Sequence, residues 1–232
     1  MPKPLSHYKL GDEHHSRFDP EECYGHPLFS YVNLVIARSA ICDMLWNCMA
    51  ARFLTTDFEV AYEMLQAPNA EGTRVQIIRA AARKVLSDAD FELYGAAWKA
   101  AKPLRDQRHK FAHHLFGLNS GLPNALLLID SRIIGRGIFL NPDAGRMKRP
   151  ERIGHKLPGG ADEQIEVYET ADLRDKAVMA TITEYMVMAL LTALGPPGDE
   201  RDGGYRWLFE HPQSPLCIDS PTQRTKPEVR PE

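Results

Sequence analysis

The sequence predicts an all-α protein: a bundle of four or five helices, with a short β-hairpin inserted between the last two. Three observations carry that expectation. Apolar side chains recur at helical spacing over long stretches, from Leu28 to Phe53, from Val75 to Leu86 and from Ala177 to Leu194. The breaks between such stretches hold turn residues, as at Pro68-Asn69 and Gly195-Pro196-Pro197. One segment, ALLLIDSRIIGRGIFL at 125–140, changes character. Its short Leu and Ile runs are separated by Asp130-Ser131 and Gly135-Arg136-Gly137, which reads as a hairpin.

Taken in order, residues 1–26 are polar and aperiodic and read as a leader arm. Pro27 opens the helical domain, residues 27–197. Its first helix runs for about seven turns, with apolar positions 28, 32, 35, 36, 41, 44, 45, 49 and 53. A short helix is expected around Phe58 to Leu65. An amphipathic helix follows from Glu71, with Val75, Ile78, Ala82 and Leu86 on one face. Asp88 or Asp90 caps the next helix, which is broken or restarted at Pro103 and ends at Gly117. Residues 141–164 are loop. The last helix takes Thr170 as its cap and has Asp172 in its first turn. Residues 198–232 form a C-terminal extension: an aromatic cluster at Tyr205 to Phe209 that docks on the body, then a tail expected to be disordered.

Composition narrows the function classes. Of 232 residues, 44% are hydrophobic and 25% charged, the balance of a globular chain and not of a disordered one. With 28 Lys and Arg against 31 Asp and Glu, the net charge of −3 excludes a protein that coats nucleic acid by bulk charge. The first residues contain no apolar signal-peptide core. Glu184 and three threonines interrupt the apolar run at 177–194, so it reads as a buried helix and no membrane is expected. Cys23, Cys42, Cys48 and Cys217 form no CxxC pair and read as reduced thiols, so the expected location is cytoplasmic. No ligand spacing for zinc is present, and neither a metal nor a cofactor is expected.

Chemistry concentrates at LRDQRHKFAHHLFG, residues 104–117. Between Lys99 and His114 five cations, Lys99, Lys102, Arg105, Arg108 and Lys110, face one acid, Asp106, a local charge of +4 in an acidic protein. His109, His113 and His114 lie in the same stretch. Arginine offers a permanent forked charge to phosphoryl oxygens, and histidine exchanges protons near neutral pH. That pairing suits phosphodiester chemistry.

Arg108-His109-Lys-Phe-Ala-His113 resembles the R-x4-6-H signature of the HEPN superfamily, in the form arginine, polar residue, three residues, histidine. The surrounding LRDQRHKFAHHLFG is similar to that family's helix end, and YETADLRDKAVMATITEYM to its final helix. The resemblance implies a helical bundle that homodimerises so that two motifs meet. It implies a metal-independent endoribonuclease acting on single-stranded or tRNA-like RNA, of a kind found among toxins and defence effectors, with an antitoxin or other regulatory partner. By position, Arg108 then stabilises the charged phosphorane. His113 serves as general base or acid for attack by the ribose 2′-hydroxyl. His109 takes the polar position, orienting either the arginine or the RNA. Arg105, Lys102, Lys110 and His114 are expected to bind substrate; His114 stands where the family often has glycine. The family also has inactive members, so a non-catalytic module for RNA binding or dimerisation is the alternative.

Helix geometry adds a constraint. Arg108 and His113 lie about 140° apart around a regular helix, so either the helix ends before His113 or two protomers each supply one of them.

Overall fold

The computed structural model describes residues 1–11, 14–67, 71–133, 161–196 and 198–217. The helices are α1 (Pro20–Tyr24), α2 (Phe29–Leu54), α3 (Phe58–Gln66), α4 (Glu71–Val85), α5 (Asp88–Ala100), α6 (Lys102–His113), α7 (Thr170–Ala193) and α8 (Asp199–Glu210). Five strands accompany them: β1 (Lys3–Pro4), β2 (Ser16–Arg17), β3 (His114–Asn119), β4 (Ala125–Asp130) and β5 (Glu166–Glu169). They form one antiparallel sheet in the order β1-β5-β4-β3-β2. The expectation of an all-α bundle with one inserted hairpin is therefore corrected: the protein is mostly helical but also carries a five-stranded sheet.

The physical reasons lie in three places. Leu126 to Ile129 are buried on both faces of β4, so the strand reads as an unbroken apolar run without alternation. It pairs with β3, in the register Phe116↔Leu128 and Gly117↔Leu127, and with β5; the segment after Gly135 lies outside the described residues. Gly117 is thus a strand residue and not a helix cap. The leader supplies the two edge strands, each two residues long and too short to give a periodic signal.

The chain divides into two compact units: Met1–Ala37 with Asp106–Met179, and Arg38–Arg105 with Ala180–Glu232. In the first, one face of the sheet buries Ala125, Leu127, Ile129, Ile165 and Val167 with Leu5, and Tyr8, Leu10, Phe18 and Leu122 from the leader and the β3–β4 turn close over them. On the other face, Phe111 of α6 meets Tyr168 and Phe116 at ring separations of 5.6 and 5.7 Å, and Phe29 meets Phe116 at 5.0 Å. The leader crosses β3 closely: a Cβ on Gly117 would stand 2.6 Å from the Arg17 carbonyl oxygen and 2.6 Å from Phe18 Cδ1. Gly117→Ala is expected to destabilise the protein by about 1–3 kcal/mol, read as a lower urea midpoint, because backbone must move to admit the methyl group.

In the second unit the core is an aromatic cluster. Trp46 meets Trp98 and Tyr94 edge-on at 4.8 and 5.7 Å, and Phe53 meets Tyr94 at 5.6 Å. Burial, partly offset by Arg105 and Arg79, pushes the Tyr94 phenol up to about 12. Ser87 caps α5 by accepting from the Asp90 backbone N–H at 3.2 Å. Leu208 of α8 is fully buried, and Arg201 and Tyr205 both donate to Asp90. The Tyr205 to Phe209 cluster is therefore helical; the tail beyond Cys217 lies outside the described residues.

Two helices, Phe29–Leu54 and Thr170–Ala193, are long and apolar enough by length and composition to cross a membrane, with 44% and 50% of those windows buried inside the protein. Arg38 and Glu184 join at 2.6 Å, with Glu184 only 6% exposed. An internal ion pair and half-buried surfaces are what core helices show, so neither helix marks a clear membrane protein.

Candidate functional site

Pro103 stands second in α6, where its missing N–H has no helical partner to lose, so α5 stops at Ala100 and α6 restarts within one residue. From Asp106 onward α6 belongs to the unit that contains the sheet. Its inner side is fixed by Gln107, Lys110 and Phe111, and by His114 where the chain becomes β3. Gln107 is buried and donates from Nε2 to the Tyr168 hydroxyl at 3.3 Å; that hydroxyl donates to Glu166 Oε2 at 2.9 Å. Lys110 completes the network by pairing with Glu166 Oε1. Burial pushes the Tyr168 phenol well above its ordinary value, so it stays protonated and remains a donor.

The outer side carries Arg108, His109, Ala112 and His113, all exposed. The His109 and His113 rings stand 4.5 Å apart between centroids, tilted by 52°. This is the i, i+4 relation of a helix surface. Arg108 makes no side-chain hydrogen bond or ion pair among the described residues. At about 100° per residue, Ala112 lies between Arg108 on one side and His109 and His113 on the other. The small Ala112 side chain thus has a long guanidinium on one side and an imidazole on the other. Helix α6 runs through His113, so the motif does not gain its geometry from an early helix end.

No family model, curated protein or solved structure matches the chain.

Two of the remaining expected substrate-binding residues, Lys110 and Arg105, make contacts within the protein. Lys110 is held by Glu166. Arg105, in the other unit, lies 4.0 Å over the Trp98 ring and donates to the Trp98 carbonyl at 3.1 Å, a structural use of its charge. Lys102 is exposed in the first turn of α6.

His114 is the first residue of β3, opposite Asp130. Its Nδ1 is buried without a hydrogen-bond partner among the described residues. Burial pushes the imidazole below its ordinary 6.5, and the Asp130 carboxylate opposes that shift. Asp130 is itself held well below the carboxylate range by hydrogen bonds from Arg132, at 2.9 and 3.0 Å from the guanidinium Nε. His114 therefore favours its neutral form more strongly than a free imidazole does.

Between the folded and unfolded pKa values of His114 the unfolded chain holds the extra proton, so its contribution to stability is complete above about pH 6.5 and is lost as pH drops through the folded value. His114→Leu is expected to flatten the loss of urea midpoint between pH 7 and pH 5. An unchanged slope would remove His114 from the acid response.

Gln107, Tyr168 and Glu166 escaped sequence reasoning. The one available signal was the Glu-Val-Tyr-Glu run at 166–169, whose period of two places Glu166 and Tyr168 on one face of a strand. Among the described residues no group of three or more metal-ligating side chains is present.

Proposed function

We propose that the protein is a metal-independent endoribonuclease that uses the outer side of α6. The observation that carries this reading is the exposed pair of imidazoles, His109 and His113, with ring centroids 4.5 Å apart, on a helix that also exposes Arg108 about 140° of turn from His113. Transesterification of RNA needs two proton transfers and one charge stabiliser. One imidazole takes the proton of the ribose 2′-hydroxyl as its oxygen attacks phosphorus. The other gives a proton to the departing 5′-oxygen as the phosphorus–oxygen bond breaks, leaving a 2′,3′-cyclic phosphate. Arg108 meets the negative charge that builds on the phosphoryl oxygens. The resemblance of Arg108 to His113 to the HEPN signature supports the same reaction class, with a second copy of the chain supplying a further arginine–histidine set.

The test is cleavage of single-stranded and tRNA-like RNA in EDTA by purified protein, with end-group analysis. Cyclic phosphate ends support the reading. No cleavage above that of an Arg108→Ala, His113→Ala double variant overturns it.

A non-catalytic RNA-binding module is favoured by a different observation. Lys110 is neutralised by Glu166 and Arg105 is stacked on Trp98, so part of the cationic stretch is already used inside the protein. Such a module would bind RNA with a shallow salt dependence, since few phosphates are neutralised.

A further inference from the structure

We propose that His109 and His113 form a two-imidazole chelate for a borderline transition-metal cation, Zn2+ or its neighbours Ni2+ and Cu2+. Two histidines one helical turn apart present nitrogen donors to the same side, and a metal with nitrogen bonds of about 2 Å fits between such rings. Here the two rings already lie 4.5 Å apart between centroids, and both side chains are exposed, so closing on a cation requires side-chain rotation and no change of backbone. The helix is pinned from beneath by Phe111 against Tyr168 and Phe116, and by Gln107 on the Tyr168 hydroxyl, so the donors sit on a fixed platform.

The surroundings set the strength and the chemistry. Arg108 repels a cation, whereas Lys110 next to His109 is neutralised by Glu166. Residues 109–113 read His-Lys-Phe-Ala-His. Lysine stands where the zinc-hydrolase helix His-Glu-x-x-His has its glutamate base, so this helix holds a metal without supplying that base. The described residues offer no cluster of three ligands, which leaves the remaining coordination positions to water. The site is therefore an open one, and affinity should follow the order Cu2+ > Ni2+ > Co2+ expected for nitrogen donors.

Binding is independent of the nuclease reading. Its consequence rests on that reading: a metal on both imidazoles removes the two proton carriers, so Zn2+ is expected to silence cleavage and EDTA to restore it.

The experiment is calorimetric titration of the full chain with Zn2+, Ni2+ and Cu2+, with Cu2+ also followed by electron paramagnetic resonance. Expected are one equivalent of metal, a two-nitrogen hyperfine pattern, and affinity weakened by about tenfold or more in His109→Gln and in His113→Gln. A His14→Gln, His15→Gln double variant should bind as the wild type does. Circular dichroism checks that each variant is folded. Undiminished binding in both α6 variants, or loss of binding in the His14, His15 variant, overturns the chelate. Because binding is read without RNA, a protein that binds metal but cleaves nothing refutes the nuclease alone. One that cleaves RNA but does not bind metal refutes the chelate alone.

Discussion

His113→Ala is expected to slow RNA cleavage by about 10²- to 10⁴-fold, the range in which a positioned acid or base contributes. His109→Ala should fall in the same range if both imidazoles carry protons. Both side chains are exposed, so neither truncation opens a cavity, and the unfolding free energies in urea should match the wild type within about 0.5 kcal/mol. His114→Gln gives the contrast: its imidazole lies at the start of β3, partly buried and depressed in basicity, so its loss should alter acid stability more than turnover. If His114 and not His113 proves indispensable, the outer side of α6 is not the catalytic surface.

The adjacent glycines of α8 should respond to alanine with opposite signs. A Cβ on Gly204 would stand 2.6 Å from both the Ala189 carbonyl oxygen and the Ala193 nitrogen of α7, backbone atoms that cannot rotate away. Helix propensity favours the change by about 1 kcal/mol, and overpacking opposes it by about 3 kcal/mol, so Gly204→Ala should lose about 2 kcal/mol net. Gly203 has nothing within 4 Å of its would-be Cβ, and Gly203→Ala should gain about 0.5–1 kcal/mol from propensity alone. Chemical denaturation of the two single variants checks both. Equal signs would contradict the close crossing of α7 and α8.

The helices were legible in the sequence because their signals are local. Leu28 to Phe53 show the apolar period, Pro103 forces the α5–α6 break, and Asp172 lies in the first turn of α7. The sheet was not, because its signals are distant in sequence. Lys3 pairs with Val167 and Ser16 with Asn119, and nothing in either short segment names its partner. Gly117 misled because glycine suits both a helix cap and a close strand crossing; the choice depends on Phe18, about a hundred residues away. At the candidate site, the residue types of Arg108, His109 and His113 were readable, and helical phase already set their divergence. The internal use of Lys110 and Arg105 was not readable, since Glu166 comes from a remote strand and Trp98 lies across the Pro103 break.

The leader strands have a consequence for the company the protein keeps with itself. β5 and β3 would otherwise present bare rows of amides and carbonyls, flanking the buried apolar run Ala125 to Ile129 of β4. Part of each is shielded by a pair of leader residues: Lys3 with Pro4 along Glu166 and Val167, and Ser16 with Arg17 along Leu118 and Asn119. A proline and a cation on one border, and a cation on the other, are poor templates for further strand addition. A chain whose leader has been pulled away or clipped would show other chains a sticky, hydrogen-bond-hungry border. Lys3–Pro4 and Ser16–Arg17 thus border the sheet with strands ill suited to further pairing, while Leu5, Tyr8, Leu10 and Phe18 cover its core.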